Sequence, residues 1–519
     1  MKLQIGMLGS LSPGWKMLME QEGLPYSVVT PGSAIDEYSV AIAADSVDAS
    51  GAEWIRKFLK IGGAVLCSGE AYSRITGISC SRENVRYILP SPGAPFSCGL
   101  IDVNAICSIP TGANHFVTDT GKSAVYIGEW GGGTLVVLPF DAGEIILDSR
   151  SRTKSFYANR SRLPFEIVSS VSKGEIRKIV ARALELLHHR RGLPYVHTWY
   201  FPNAHRSIFA LRIDTDYASR EQIERLHAIA AKHKVRCSWF VDVGSQEKFL
   251  DVFSSMRGQE IGIHCYEHKT YPDKIRNIEN IGRAAEQFGC HGIQANSFAA
   301  PYGTWNEGIG GAIASSGFVY SSEFSYDYDN LPSQPVLGGK ELGFYQLPVH
   351  PISIGTLSRQ GFSSEEMRAY FRVVIESKYA SGEPLIFYHH PGDGNQEALE
   401  VLFGFAKERN IPNMTLMEYV VWWKNRCAAN PAIEIENNHV SIIPEHLTQN
   451  VLFRVSLPGG KEYLTGASRD IALDALPWEM PEIVPPLRAD IARIRKFNPW
   501  VPLIRLEDAV YKYLPHKKK

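Results

Sequence analysis

Phe209-Ala210-Leu211-Arg212-Ile213-Asp214-Thr215-Asp216 is a short apolar run that ends on two carboxylates. The run predicts a buried strand, and the residues after it predict a helical connection. Ser219 and Gln222 have the spacing of a capping box, and Ile223, Leu226 and Ile229 recur at helical intervals. Val235 to Val241 is apolar again, so the segment reads as a β-α-β unit. The alternation continues downstream. Glu260-Ile261-Gly262-Ile263 leads to His264, and a helix is predicted over about 274–288. Ser297 to Ala300 leads to Pro301, a helix opens at Ser363 and Glu366, and Leu385-Ile386-Phe387-Tyr388 leads to His389. Each polar cluster falls where a strand ends, which in parallel α/β barrels is the face that carries the site.

Three of these clusters carry chemistry: Asp214-Thr215-Asp216, His264-Cys265-Tyr266-Glu267-His268 and Tyr388-His389-His390-Pro391. His264 and His268 are four apart, which on one helical turn puts both imidazoles on the same side, as two ligands of one metal require. Asp216 completes a three-ligand set and leaves the fourth position of a zinc ion open to water. One aspartate can bind the metal while the other takes a proton, and a late histidine can serve as acid, so the set is equipped for metal-assisted hydrolysis. The plainer alternative makes the aspartates caps of the helix near Ser219 and the histidines core or helix-end residues.

Over about residues 205–425 the chain resembles the polysaccharide deacetylases (NodB homology, carbohydrate esterase family 4). Ile213-Asp214-Thr215-Asp216 resembles that family's acidic first motif, and His264 to His268 its H-x-x-x-H motif, with Cys265 in place of Ser or Thr. Phe298-Ala299-Ala300-Pro301-Tyr302 is similar to the Arg-x-Pro-Tyr motif, and Phe387 to Pro391 to the late Leu-x-His motif. The resemblance implies a distorted (β/α) barrel. It implies Zn²⁺, or Co²⁺, Ni²⁺ or Mn²⁺, held by Asp216, His264 and His268, with Asp214 as general base. It further implies that Pro301 and Tyr302 meet the substrate, the Tyr302 backbone N–H serves the oxyanion, and His390 protonates the leaving amine; His389 is the adjacent alternative. Two departures stand out. Thr215 separates aspartates that the family has side by side, so base and ligand roles could be exchanged. Ala299 replaces the arginine that steadies the base, and Arg212 is the residue placed to substitute. The family's Asp-Trp motif has no counterpart; Tyr326-Asp327-Tyr328-Asp329 reads as the lining of a sugar cleft or as a solvated loop.

Upstream, residues 1–170 read as an α/β open-sheet domain: Leu3 to Leu8, Val40 to Ala43 and Ala64 to Cys67 as strands, Ala52 to Leu59 as a helix, and a hairpin from Ala124 to Leu138. This part resembles class I glutamine amidotransferase-like domains, with Cys67 at the nucleophile position, but no following His and Glu can be assigned, which implies an accessory, non-catalytic domain. Residues 171–204 read as a helix and linker. The helix has Ser172 and Glu175 as capping box and His188 and His189 as cations at its C-terminal end. Residues 428–519 read as a small β domain and a tail, with the stretch from Pro477 to Pro502 packed on the body and His516 to Lys519 a solvated basic end.

The 519 residues are too many for one core. With 44% hydrophobic and 21% charged residues the chain has a globular composition, and 54 Lys+Arg against 55 Asp+Glu leave no field for nucleic acid or membrane. No leader peptide or transmembrane span is predicted, and eight cysteines without paired spacing suit a reducing cytoplasm. The leading expectation is removal of an acetyl group from an N-acetylated sugar. Hydrolysis of another carbon–nitrogen amide, and a catalytically silent sugar-binding or scaffold protein, are the alternatives.

Overall fold

A computed structural model describes residues 1–481 apart from Pro31 and Ser97, and beyond them only 494, 499, 501–503 and 506. The basic end at His516 to Lys519 and most of the Pro477 to Pro502 stretch lie outside the described residues.

The barrel is a seven-stranded sheet in the order Tyr345–Gln346, Tyr320–Ser321, Ser297–Phe298, Glu260–Ile263, Cys237–Val241, Phe209–Asp214, Leu385–His389. Every pairing in it is parallel. The two outer strands do not pair. Instead the chain leaving Gln346 reaches across, and the His350 N–H donates to the Ile386 carbonyl at 2.9 Å. The ring is thus a distorted barrel. Residues of all these strands are buried on both faces, as parallel strands flanked by helices require. The expected capping boxes form at Ser219 with Gln222 and at Ser363 with Glu366. They open the helices Arg220–Lys232 and Ser364–Ala380, which lay Ile223, Leu226, Met367 and Phe371 onto the barrel.

Strand register sets the rim. Ile213 pairs with Trp239 and with His389, and Ile263 with Val241 and Phe298. Asp214 and His390 follow the first set and stand level with Phe240, whereas Asp242, His264 and Ala299 follow the second, two residues further along Cys237–Val241, so the C-terminal edge climbs in two steps.

The first part of the chain forms a nine-stranded sheet whose first five strands, Tyr26–Val28, Ile5–Leu8, Val40–Ala43, Ala64–Ser68 and Gly133–Leu138, are parallel. Cys67 is buried in one of them, and burial pushes its thiol far up, so it is no ready nucleophile. The helix Lys173–Arg190 packs against this sheet.

Three expectations need correction. Ser172 does not cap that helix: its hydroxyl is 3.3 Å from Asp102 Oδ2, while Asp329 Oδ1 accepts the Gly174 N–H at 3.0 Å. Burial lowers His188 to about 4, so the ring is neutral, bonded to Ser39 and the Leu184 carbonyl, not a helix-end cation. Tyr326 to Asp329 neither lines a cleft nor is solvated. It is packed against the start of the helix Lys173–Arg190, with the Lys173 ammonium 3.6 Å from the Tyr326 ring centroid and Asp329 on the Gly174 N–H. The run Tyr195 to Pro202 contains the strand Tyr195–Thr198, which pairs with Phe453–Ser456 and through it reaches Glu462–Thr465. The remaining late strands, Pro431–Glu436, His439–Pro444 and Ser468–Ala472, form another three-stranded sheet.

Candidate metal centre

The strand Phe209–Asp214 stops where the backbone turns over: Asp216 has φ 24 and Tyr217 φ 52. Asp214 and Asp216 therefore diverge. Asp214, 3% exposed, faces Arg212, whose Nε and Nη2 lie 2.7 and 2.6 Å from its two oxygens. The arginine expected as a substitute for the missing one at Ala299 thus holds this carboxylate with both nitrogens. It is itself fixed by the Ser322 carbonyl and hydroxyl. Ala299 is buried and only lends its carbonyl to the site.

His264 and His268 do not lie on a helical turn. Cys265, at φ 69, reverses the chain into a tight loop. The buried Asn280 holds that loop, accepting the N–H groups of Tyr266 and Glu267 and donating to the carbonyls of Glu267 and Lys269. The loop brings the imidazoles together by a route that the four-residue spacing did not reveal.

Asp216 Oδ1 is 3.1 Å from His264 Nε2 and 3.1 Å from His268 Nε2, and the two nitrogens are 3.2 Å apart. These three form a candidate metal-holding group among the described residues. His264 Nδ1 lies 2.7 Å from the Ala299 carbonyl, which can only accept, so Nδ1 donates there and Nε2 is the nitrogen turned to the triangle. Asp216 Oδ1 is buried and has no well-directed hydrogen bond. Converging lone pairs repel. A proton on His268 relieves part of this, whereas a divalent cation relieves all of it. A tetrahedral ion with bonds of about 2.0 Å spaces its ligands by about 3.3 Å, which fits the triangle observed. Burial opposes the Asp216 charge, but His268 and His390 outweigh it and hold the carboxyl well below the usual range.

His390 stands opposite. Its Nε2 is 3.5 Å from Asp216 Oδ2, and its Nδ1 2.8 Å from Asp393 Oδ2. Burial works against its protonation, yet Asp216 and Asp393 raise it to about 9. His389 is fully buried, neither ring nitrogen has a hydrogen-bond partner, and burial lowers it to about 4. Of the two, His390 is the one in the site. Asp393, which the sequence pattern did not single out, comes three residues after His390 and passes close over Gly355, where a Cβ would lie 2.1 Å from its carboxylate. Tyr302, at φ 58 and 42% exposed, and Tyr217, 52% exposed, put their rings 5.0 and 5.3 Å from that of His268; Pro301 is buried. Two half-exposed aromatic faces thus stand beside the cluster.

No protein-family model and no curated protein matches the sequence. Solved structures do. A Mycobacterium smegmatis protein assigned as a polysaccharide deacetylase is 17% identical, with 44% of this chain and 94% of that chain covered and a TM-score of 0.38. A Pseudomonas aeruginosa PAO1 protein of the same assignment is 15% identical, with 42% and 91% covered and a TM-score of 0.37. A carbohydrate esterase family 4 pseudoenzyme from Bacillus anthracis is 15% identical, with 41% and 65% covered and a TM-score of 0.30. The chain is similar over part of its length to proteins of the polysaccharide deacetylase group.

Proposed function

We propose that the protein is a metal-dependent hydrolase that removes the acetyl group from an N-acetylated sugar. The observation that carries this is the triangle of Asp216 Oδ1, His264 Nε2 and His268 Nε2, flanked by a carboxylate and an imidazole that the triangle does not use. Asp216, His264 and His268 would hold a divalent ion such as Zn²⁺, which when bound would supply a Lewis acid and lower the pKa of water.

The chain's own residues divide the remaining work. Asp214 takes the proton of the attacking water. Arg212 grips its carboxylate through two nitrogens and keeps it aimed. His390, charged and held by Asp393, gives a proton to the departing amine, since an amine leaves readily only once protonated. The backbone N–H of Tyr302 offers a donor to the oxygen on which charge develops. Pro301 and Tyr302 border the substrate, and the exposed rings of Tyr217 and Tyr302 suit the apolar face of a sugar. Assigning the base to Asp214 and the ligand role to Asp216 accords with the triangle, which includes only Asp216.

A cytoplasmic setting accompanies this reading. All eight cysteines are unpaired, as a reducing compartment leaves them. No helix among the described residues is long and apolar enough to cross a membrane.

The test is acetate release from N-acetylglucosamine oligomers by protein loaded with Zn²⁺ or Co²⁺ and by protein stripped with a chelator. Release that tracks metal content supports the reading. Bound metal without acetate turns it towards another carbon–nitrogen amide. Absence of both leaves a silent sugar-binding protein.

A further inference from the structure

Beside the triangle two buried polar atoms have no hydrogen-bond partner, His268 Nδ1 and Asp242 Oδ2. His264 hands its outer nitrogen to the Ala299 carbonyl, but His268 has no such support. A histidine that binds a metal through one nitrogen nearly always donates its other N–H, which fixes the ring and raises its basicity. The missing acceptor is therefore to be sought next to His268.

Asp242 is held there. It comes directly after the strand Cys237–Val241 and is 1% exposed. Its backbone N–H donates to the Thr215 hydroxyl at 2.9 Å, which ties it to the aspartate loop. The next two N–H groups, of Val243 and Gly244, donate to the carbonyls of Cys265 at 3.1 Å and Tyr266 at 3.0 Å, which ties it to the histidine loop. A Cβ at Gly244 would come within 2.4 Å of the Tyr266 carbonyl oxygen, so the seam needs glycine at this point. Asp242 is thus fixed between both loops that supply the triangle, yet it is not one of its three members.

We propose that Asp242 is a positioning residue for His268: its Oδ2 accepts the Nδ1–H, directly or through one water, and so sets the affinity of the triangle for a divalent ion. Burial pushes the Asp242 carboxyl up, while the nearby imidazoles pull it back towards the charged form that accepts. The same contact gives Thr215 a task, since its hydroxyl accepts the Asp242 backbone N–H and anchors that residue.

The inference rests on the metal reading, and one titration separates the two. Zn²⁺ is titrated against a competing chelator with wild type, Asp242→Asn and Asp242→Glu. The expected result is a Kd weaker by about 10- to 100-fold in Asp242→Asn, the effect typical of losing such a partner, with part of it recovered in Asp242→Glu. Wild type and Asp242→Asn binding Zn²⁺ equally overturns the inference alone. A wild type that takes up no Zn²⁺ overturns the metal reading and this inference with it. Should Asp242→Asn fold poorly, wild type decides by itself: its Zn²⁺ form should show a downfield, slowly exchanging Nδ1 proton on His268, and a fast-exchanging one overturns the proposal.

Discussion

Two sheets in this molecule, one parallel throughout and one parallel in five of its nine strands, place carboxylates just beyond strand ends, and only the fully parallel one makes a candidate site. In the first domain the Ser68 hydroxyl donates to Asp45, Asp141 accepts the N–H groups of Asp45 at 2.8 Å and Gly143 at 2.9 Å, and Glu70 takes the Ser108 hydroxyl at 2.6 Å. Each of these acidic groups has a donor of its own and is structurally complete. At the barrel rim Asp216 Oδ1 meets two nitrogens and has no well-directed hydrogen bond. The difference lies in satisfaction. Polar groups at strand ends are common, but acceptors left facing one another call for a cation.

The sharpest way to break this contrast is to remove one member from each side. His264→Ala should lower Zn²⁺ affinity by more than about a hundredfold, beyond the loss for an outer partner, and take acetate release to background while the fold is retained. Asp141→Asn, in the first domain, should leave both unchanged. Metal content and acetate assays on the two proteins check this, and equal behaviour would remove the distinction.

The contrast can be refined inside the site. Asp214→Asn should keep the ion yet lose about 10²- to 10⁴-fold in turnover, the usual weight of a general base. Loss of the ion instead would mean that the two aspartates have exchanged roles. Arg212→Met leaves Asp214 buried without its partner, which should cost about 3–5 kcal/mol of stability by denaturant unfolding. A small loss would show that Asp214 reaches water by another route.

What the sequence disclosed was local. Strand, helix and strand over 209–241 rest on short-range signals, and the structure has them; the boxes at Ser219 and Ser363 close as read. Ser172 carries the same signal and fails, because Asp102, seventy residues away, claims its hydroxyl and Asp329 supplies the acceptor instead. A tertiary contact overrode a local one. The pair His264 and His268 was legible as a pair, but the reason was not: a left-handed Cys265 and the Asn280 side chain, not a helical turn, bring them together. Arg212 could be picked out because it shares a strand with Asp214. Asp393 lies only three residues after His390, so that pairing was within reach of the spacing; Asp242 could not be weighed, since its meaning depends on the loops of Thr215 and Cys265 across the rim.

The histidines give a third comparison. His188, in the first domain, is buried neutral and lowered from 6.5 to about 4 by burial. A lowered base contributes stability that is whole above about 6.5 and lost as pH falls through 4. The expected loss over that window is roughly 3 kcal/mol. Denaturant unfolding of metal-free protein between pH 7 and 4 measures it, and His188→Gln should flatten the slope. An unchanged slope would assign the acid transition to other groups.

The smallest expected effect lies at the seam between Tyr326 to Asp329 and the N-terminus of the helix Lys173–Arg190. Asp329 caps the helix Lys173–Arg190 through the Gly174 N–H, yet burial raises its carboxyl from 3.8 to about 7. Asp327 adds a like charge, and Lys173, lowered by burial to about 8, does not compensate fully. A raised acid contributes stability that is complete below about 3.8 and lost as pH rises through 7, so this seam is weakest in its ionised state. Asp329→Asn keeps an oxygen for the Gly174 N–H and removes the charge. It should therefore match wild type near pH 3.8 and exceed it at pH 8 by on the order of 1 kcal/mol, a modest figure because Asp327 and Lys173 titrate with it. Thermal melts at the two pH values test this. A variant weaker than wild type at pH 8 would show that the Asp329 charge holds the helix terminus through its dipole, and that the seam, like the barrel rim, uses an ionised carboxylate rather than tolerating one.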